Sequence, residues 1–390
     1  MADPHAPPSH WLATVDLDAF PPPAALPSEA EVAVIGGGIM GVSVAYWLAR
    51  AGVSAVVLEA RALASGATGR NAGLMLAGSK PLENPELVQA VLQEEGIDAG
   101  YATPGHMALA ASEGVWDQFC EEANRRRGTP APVFALDHSA CEDLLGMKIN
   151  KRFLGGRWLP HGGIVNPTRL VYGLATAALH HGASVISHTS VLQVDAVPGH
   201  EYLGISTTRG ILRAQQVVFA CNTALSIFAP EFKDVVTPVR GQVLSTQPLP
   251  PIFKIGLGVD FGTVYWRQSS DGVIVIGGYR NRDPITETTT KEDLNSDIQQ
   301  ALTDFLPDAF PGFPPISISR RWAGIMDYPS DGNPLIGAMP GSPGRWVISG
   351  FGGHGLPGAL GAGNALAEAI ATGQAPPILE PFNPGRFMTP

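Results

Sequence analysis

Residues 32–60 read VAVIGGGIMGVSVAYWLARAGVSAVVLEA, an apolar run, a cluster of glycines, a helical pattern and a second apolar run in direct succession. Such an order predicts a strand over 32–35, a helix over 39–51 and a strand over 55–58, joined as a βαβ unit with its two strands parallel. The glycines fall as Gly36-x-Gly38-x-x-Gly41. Gly36 permits the turn off the strand, Gly38 lets a pyrophosphate approach the backbone, and Gly41 lets the helix pack on the sheet. Phosphates would then meet the N–H groups of Ile39 and Met40 at the helix start, where the dipole favours anions. Glu59 ends the second strand, roughly 20 residues beyond Gly36, where a carboxylate accepts from both ribose hydroxyls and repels a 2′-phosphate. A dinucleotide site is expected, with NAD and FAD both open.

The rest of the chain bounds this reading. A length of 390 residues, 45% hydrophobic and 15% charged, suffices for two domains with their own cores and is too apolar for disorder. The net charge of −10, with scattered Lys and Arg, argues against a nucleic-acid surface. Three cysteines, Cys120, Cys141 and Cys221, form no CxxC pair and leave one over, which fits a reducing compartment; no metal site is expected. The proline-rich start lacks the basic and apolar regions of a secretory signal and reads as an extended arm over the surface. No apolar run reaches the roughly 18 residues of a membrane span, so a cytoplasmic protein without a membrane partner is expected.

Alternation of helical and strand patterns continues to about residue 235, after which "GQVLSTQ" and "GVIVIGGYR" read as strands of a second sheet. A final helix follows the glycine-rich "SGFGGHGLPGALGAGNALAEAI". The expected architecture is α/β (α+β): an arm at 1–30, a discontinuous Rossmann-like cofactor domain at 31–95, 160–235 and 320–375, an inserted mixed-sheet substrate domain at 96–159 and 236–319, and a tail at 376–390.

Directly after "LEA", the segment "LASGATGRNAGLM" resembles the flavin-wrapping loop of the D-amino-acid oxidase superfamily. "WAGIMDYPSDGNPLIGAMP" resembles that family's late strand and turn, and "SGFGGHGLPGALGAGNALAEAI" its closing turn and helix. The likeness covers most of the chain from Glu31 to Thr372, and among relatives it looks most like gamma-glutamylputrescine oxidases and similar amine oxidoreductases. It implies a D-amino-acid oxidase-like fold and FAD as cofactor. Loop contacts are implied for Ala60, Arg61, Ser65, Gly66, Thr68, Arg70, Asn71, Ala72, Gly73 and Leu74, with Val191 near adenine and Cys221 near the pyrophosphate. Gly353, His354, Gly355 and Leu356 would form the turn that offers backbone N–H groups to the flavin.

Departures from the family narrow the chemistry. The cations that clamp a substrate carboxylate in glycine oxidases fall on Met326 and Leu356, and those of monomeric sarcosine oxidases on Gly73 and Pro357. A simple amino acid is disfavoured unless Arg267, Arg280, Arg320 or Arg321 takes over. The lysine that promotes reaction with oxygen in sarcosine oxidases falls on Ile276, leaving O2 or another electron acceptor open, and the cysteine that links their flavin falls on Gly324, so FAD should be non-covalent. The resulting expectation is an FAD-dependent oxidoreductase acting on a small-molecule amine. Tyr265, Trp266, Met326 and Tyr328 are candidates for an aromatic cage, Arg267 and Arg321 for further substrate contacts, and His354, Tyr265 and Met326 for catalysis. Asp327 could face a second cation, or cap a turn. The alternatives are an amino-acid oxidase with a relocated arginine, a non-catalytic FAD-binding subunit and an NAD-dependent dehydrogenase.

Overall fold

The computed structural model describes residues 9–21, 25–76 and 81–388; the arm residues at 1–8 and 22–24 lie outside the described residues. The glycine turn sits where the sequence places it, between the strand Glu29–Ile35, the helix Ile39–Arg50 and the strand Ala55–Leu58. Glu29–Ile35 is the centre of the first sheet, paired parallel with Ala55–Leu58 on one side and Gly210–Phe219 on the other. Ser184–Ile186 and Arg345–Ser349 extend the parallel run, and Leu335–Ala338 closes one edge antiparallel. Parallel strands buried on both faces demand continuous apolar runs, and Val32, Ala33, Val34 and Ile35 supply one.

The helices Ile39–Arg50, Pro167–His180 and Gly355–Thr372 cover one face in a single apolar cluster. Ser43 Oγ donates to Ala359 O at 3.0 Å and Trp47 Nε1 to Leu360 O at 3.1 Å, which fixes how the first and last helices cross. Their N-termini point toward the same end of the sheet, the carboxyl ends of its parallel strands, where ligands of open α/β sheets bind.

The second sheet runs Ile318–Pro329, Val236–Thr246, Ile274–Gly278, Val264–Gln268, Gly256–Val259, His106–Ala110, Gly155–Leu159 and Phe134–Asp137. Period-2 alternation sorts its side chains. Leu244, Leu257, Trp266 and Ile276 face a core closed by Phe305 and Phe310 of the helix Ser296–Ala309 and its end. The opposite face, which carries Tyr265, Val243 and Trp322, turns toward the first domain.

Two expectations are corrected here. Residues 320–329 belong to the second sheet, because Ile318–Pro329 pairs with Val236–Thr246 in continuous register from Val236↔Pro329 to Ser245↔Arg320, with a bulge before the last pair, Thr246↔Ile318. The N-terminal arm is not merely laid on the surface: Trp11 is only 1% exposed, packed with Ala72, Val243 and Trp322 between the two domains. Among the described residues no helix is long and apolar enough to cross a membrane.

Candidate active site

The nucleotide end is built by close backbone approach. Gly36 has φ +115°, and a Cβ there would lie 2.4 Å from Ala220 O; a Cβ on Gly41 would lie 2.0 Å from Gly36 O. A larger residue at Gly36 would push its turn away from Ala220, just past the strand Gly210–Phe219, and one at Gly41 would force the helix off the turn and strand before it. Glu59 is held at the rim, its two carboxylate oxygens accepting from Gly37 N–H (2.7 Å) and Arg61 N–H (2.8 Å). Each oxygen keeps further acceptor capacity for ribose hydroxyls. Gly38 offers no side chain to cap the helix; instead Thr68 Oγ1 accepts from Ile39 N–H at 3.1 Å, tying the following loop to the helix start. Cys221 lies beside Gly36, and burial pushes its thiol up to about 12, so it remains protonated there. Val191 opens an outer strand two residues past Thr189, whose N–H donates to Glu59 O.

The loop at 61–74 is locked from several sides. Asn71 folds it on itself, donating to Thr68 O (2.7 Å) and accepting from Gly73 N–H (2.7 Å). Arg70 donates to Ser65 O (2.9 Å) and Ala323 O (2.8 Å) and pairs with Glu292 at 3.0 Å. Glu292 also reaches Arg61 at 3.3 Å. Glu292 was not foreseen: it comes from the segment between Tyr279 and Ser296, which a buried Arg240–Glu287 pair pins to the second sheet. No local pattern announces such a contact. A Cβ on Gly324 would stand 3.0 Å from Arg70 Cβ, so the strand Ile318–Pro329 lies directly against this loop.

The closing turn is organised by Asp327. Its buried carboxylate accepts from Ser349 Oγ (2.6 Å), Gly350 N–H (2.5 Å) and Phe351 N–H (3.2 Å). Burial raises its pKa while those donors oppose the rise. The turn-capping reading of Asp327 therefore holds, and its carboxylate is committed to the chain. The turn delivers Gly355 and the buried Leu356 to the first turn of the closing helix, where a Cβ on Gly355 would lie 2.9 Å from Met40 Cε. The starts of the first and last helices thus meet, as one dinucleotide spanning both requires. His354 is exposed, with Nδ1 3.0 Å from Gly352 O of its own turn.

Opposite the turn stands the second sheet. A Cβ on Gly353 would lie 3.0 Å from Met326 Sδ and 3.2 Å from the Tyr328 hydroxyl. Tyr265 shares that sheet face and lies over Gly277, whose Cβ would meet its ring at 2.8 Å. Around these side chains the face is bare: Gly241, Gly258, Gly277 and Gly324 occupy four different strands. A shallow bed is left between an aromatic wall and a helix N-terminus.

Other expected substrate residues turn elsewhere. Trp266 points into the far core against Phe305 and Phe310. Arg321 also faces away, donating to Gln299 Oε1 (2.9 Å) and Thr303 Oγ1 (3.0 Å) on the helix. Arg267 lies on the right face but is buried, with Nε on Ala72 O (2.9 Å), Nη2 on Val165 O (2.8 Å) and its plane 4.5 Å over Trp11. Burial lowers its pKa to about 10. Ile276, matched to the oxygen-promoting lysine, sits in the core on the side opposite Tyr265, so its identity carries no argument about the electron acceptor.

Known proteins resemble the chain in sequence and in fold. The profile of the FAD dependent oxidoreductase (DAO) family matches residues 31–369. Mitochondrial dimethylglycine dehydrogenase of Mus musculus is 26% identical over 391 residues, covering 92% of this chain but 44% of that protein, so the chain spans less than half its length. The probable oxidoreductase OrdL of Rhizobium meliloti is 27% identical over 377 residues, covering 89% of this chain and 84% of that one. Glycine oxidase from Geobacillus kaustophilus superposes with a TM-score of 0.80 at 22% identity, covering 93% of this chain and all of that one, a likeness of fold. With the glycine turn, Glu59, the locked loop and the closing helix start all fitting the cofactor, the chain belongs to the DAO family of FAD-dependent oxidoreductases.

Proposed function

We propose that the chain oxidises the CH–NH bond of a primary or secondary amine to an imine, which water then hydrolyses. FAD, when bound, supplies the hydride acceptor at its N5. One observation carries the reading: Tyr265, Met326 and Tyr328 share a sheet face that stands against the glycine turn opening the closing helix. An amine must be neutral to release hydride from its α-carbon, and a wall of aromatic and thioether groups disfavours the ammonium form. A side-chain base is not required, and Asp327, the carboxylate nearest this wall in sequence, is held by three donors. Backbone N–H groups of the closing helix supply fixed positive potential beside the cofactor without titrating. The names of the relatives, dimethylglycine dehydrogenase and glycine oxidase, point to amines of the same kind.

The test is anaerobic flavin reduction with a panel of primary and secondary amines beside 2-hydroxy acids and glycerol phosphate. Amines are expected to bleach the flavin; bleaching by the hydroxy compounds alone would overturn the proposal. Because Gly324 stands at the linking position, acid precipitation should release the flavin, and yellow colour kept in the pellet would show a covalent bond instead.

A further inference from the structure

A histidine closes the bed on the side away from Met326 and Tyr328. In the strand His106–Ala110, Met107 and Leu109 face the far core, so alternation turns His106 and Ala108 to the face that carries Tyr265. His106 is paired with Gly256, and Gly258, two residues on, is paired with Tyr265. The imidazole leans along these glycines: a Cβ on Gly256 would lie 3.2 Å from its Cδ2, and one on Gly258 would lie 3.6 Å from its Nε2. Tyr265 leans the other way, over Gly277, so ring and phenol flank the same bare stretch of sheet. Leu74, at the end of the loop expected to hold the flavin, also reaches Gly256, with Cδ2 2.7 Å from the same Cβ position. Over Gly258 the nearest atoms are Val264 O and the imidazole, so the first domain leaves that part of the bed to His106.

His106 is only 3% exposed, and its Nδ1 is buried without a hydrogen-bond partner. Burial lowers its pKa to about 3, with the Arg157 charge adding to the effect and the Leu257 carbonyl opposing it. Arg157 is itself paired with Glu122 at 2.9 Å. The ring is therefore neutral near pH 7, with one nitrogen a donor and the other an acceptor. An imidazole buried with a nitrogen unpaired carries a free-energy cost that Leu or Met would not, so packing alone does not account for it.

We infer that His106 is a specificity-determining residue whose Nε2 hydrogen-bonds a hydroxyl carried by the substrate, so that amino alcohols are preferred to alkylamines of the same length. A hydroxyl suits the site because it both donates and accepts, and so pairs with Nε2 in either tautomer. A carboxylate would be buried there against a neutral ring, with no charge to offset its lost hydration, and an alkyl end would leave Nε2 unpaired. A site built for a hydroxyl discriminates strongly against the analogue that lacks it.

The inference rests on the amine reading for the reacting end, and the experiment keeps the two apart. Thioethers have the shape of secondary amines but no N–H and form no imine, so they report binding alone. Flavin absorbance of the FAD-loaded protein is titrated with 2-(methylthio)ethanol and with methyl propyl sulfide, which has a methyl group in place of the hydroxyl. The alcohol is expected to bind at least tenfold more tightly; H106L should abolish the preference, and H106Q, which restores a hydrogen-bonding group, should keep part of it. Anaerobic reduction then compares 2-(methylamino)ethanol with N-methylpropylamine: the amino alcohol is expected to be favoured at least tenfold in kcat/KM, with the ratio falling toward one in H106L. No preference for the alcohol in the wild type, or an unchanged preference in H106L, or in H106M should the first variant fail to fold, overturns the inference. If no amine reduces the flavin yet H106L loses the thioether preference, the hydroxyl site stands and the amine reading falls.

Discussion

The indole N–H groups of Trp11 and Trp322 hold consecutive carbonyls of one loop: Trp11 donates to Asn71 O at 2.6 Å and Trp322 to Arg70 O at 2.9 Å. One tryptophan comes from the N-terminal arm and the other from the second sheet, so two distant parts of the chain close on the loop at 61–74. The Ser9 hydroxyl adds a bond to Gly69 O. Trp11→Ala should cost about 3–5 kcal/mol of stability, as truncation of a buried aromatic does. Because the freed loop carries Arg70 and Asn71, FAD should bind at least tenfold more weakly. Trp11→Phe keeps the bulk but strands Asn71 O, which costs about 1–3 kcal/mol. Fluorescence titration with FAD and thermal melts check both; a folded Trp11→Ala protein with unchanged FAD affinity would show that the arm is not a brace.

The turn before the closing helix should depend on Asp327 far more than on its hydroxyl partner. Asp327→Asn puts an amide N–H₂ among three donors, losing charge-assisted bonds worth about 1.5–3 kcal/mol each. Ser349→Ala removes one donor of the three and should cost about 1 kcal/mol. Flavin reduction by the best amine and FAD retention on gel filtration are expected to fall strongly in the first variant and little in the second. Equal losses would mean that the carboxylate does not organise the turn.

Burial alone would raise the Glu287 carboxyl, but Arg240, Asn295 and Gln242 donate to it and hold it below the usual glutamate range. Its ionised form is therefore favoured in the folded state. The stability it contributes is present above the unfolded glutamate pKa of about 4.3 and is lost as pH falls below that value. Glu287→Gln leaves Arg240 buried beside a neutral amide and should destabilise by about 3–5 kcal/mol near pH 7. Urea melts should show the gap between wild type and variant steady above about pH 5 and shrinking on further acidification. A gap that widens in acid would contradict the lowered pKa. FAD binding should weaken alongside, since the same segment carries Glu292 to Arg70 and Arg61.

What the sequence disclosed follows the range of the interactions. The βαβ unit was legible because strand, glycine turn, helix and acid are contiguous, and each constrains its neighbour. Faces of the second sheet were legible too, but only through alternation. Trp322, Gly324, Met326 and Tyr328 step along one side of their strand, which sends Arg321 to the other, and Tyr265 and Arg267 likewise exclude Trp266. Matching motifs to relatives without that period assigns Arg321, Trp266 and Ile276 to the wrong side. Glu292 and Trp11 lie beyond either signal, since their contacts join segments more than 50 residues apart that only the folded chain brings together.

The substrate prediction follows from what occupies the clamp positions. Met326 abuts Gly353, Leu356 and Pro357 are buried in the closing helix, and Gly73 is backbone at φ +68° beside Arg267. Arg267, the cation beside Gly73, spends two donors on Ala72 O and Val165 O. Glycine and sarcosine, whose carboxylate sits on the carbon to be oxidised, therefore meet no free cation at these positions. The loss of a buried bidentate contact costs about 2–5 kcal/mol, or roughly 30- to 3,000-fold in kcat/KM. Stopped-flow reduction should show glycine and sarcosine slower by that order than the best larger amine. Were either of them faster than every larger amine, Arg267 would have to turn its donors from the two carbonyls to the substrate, and Arg267→Met would then abolish the reaction while leaving FAD bound.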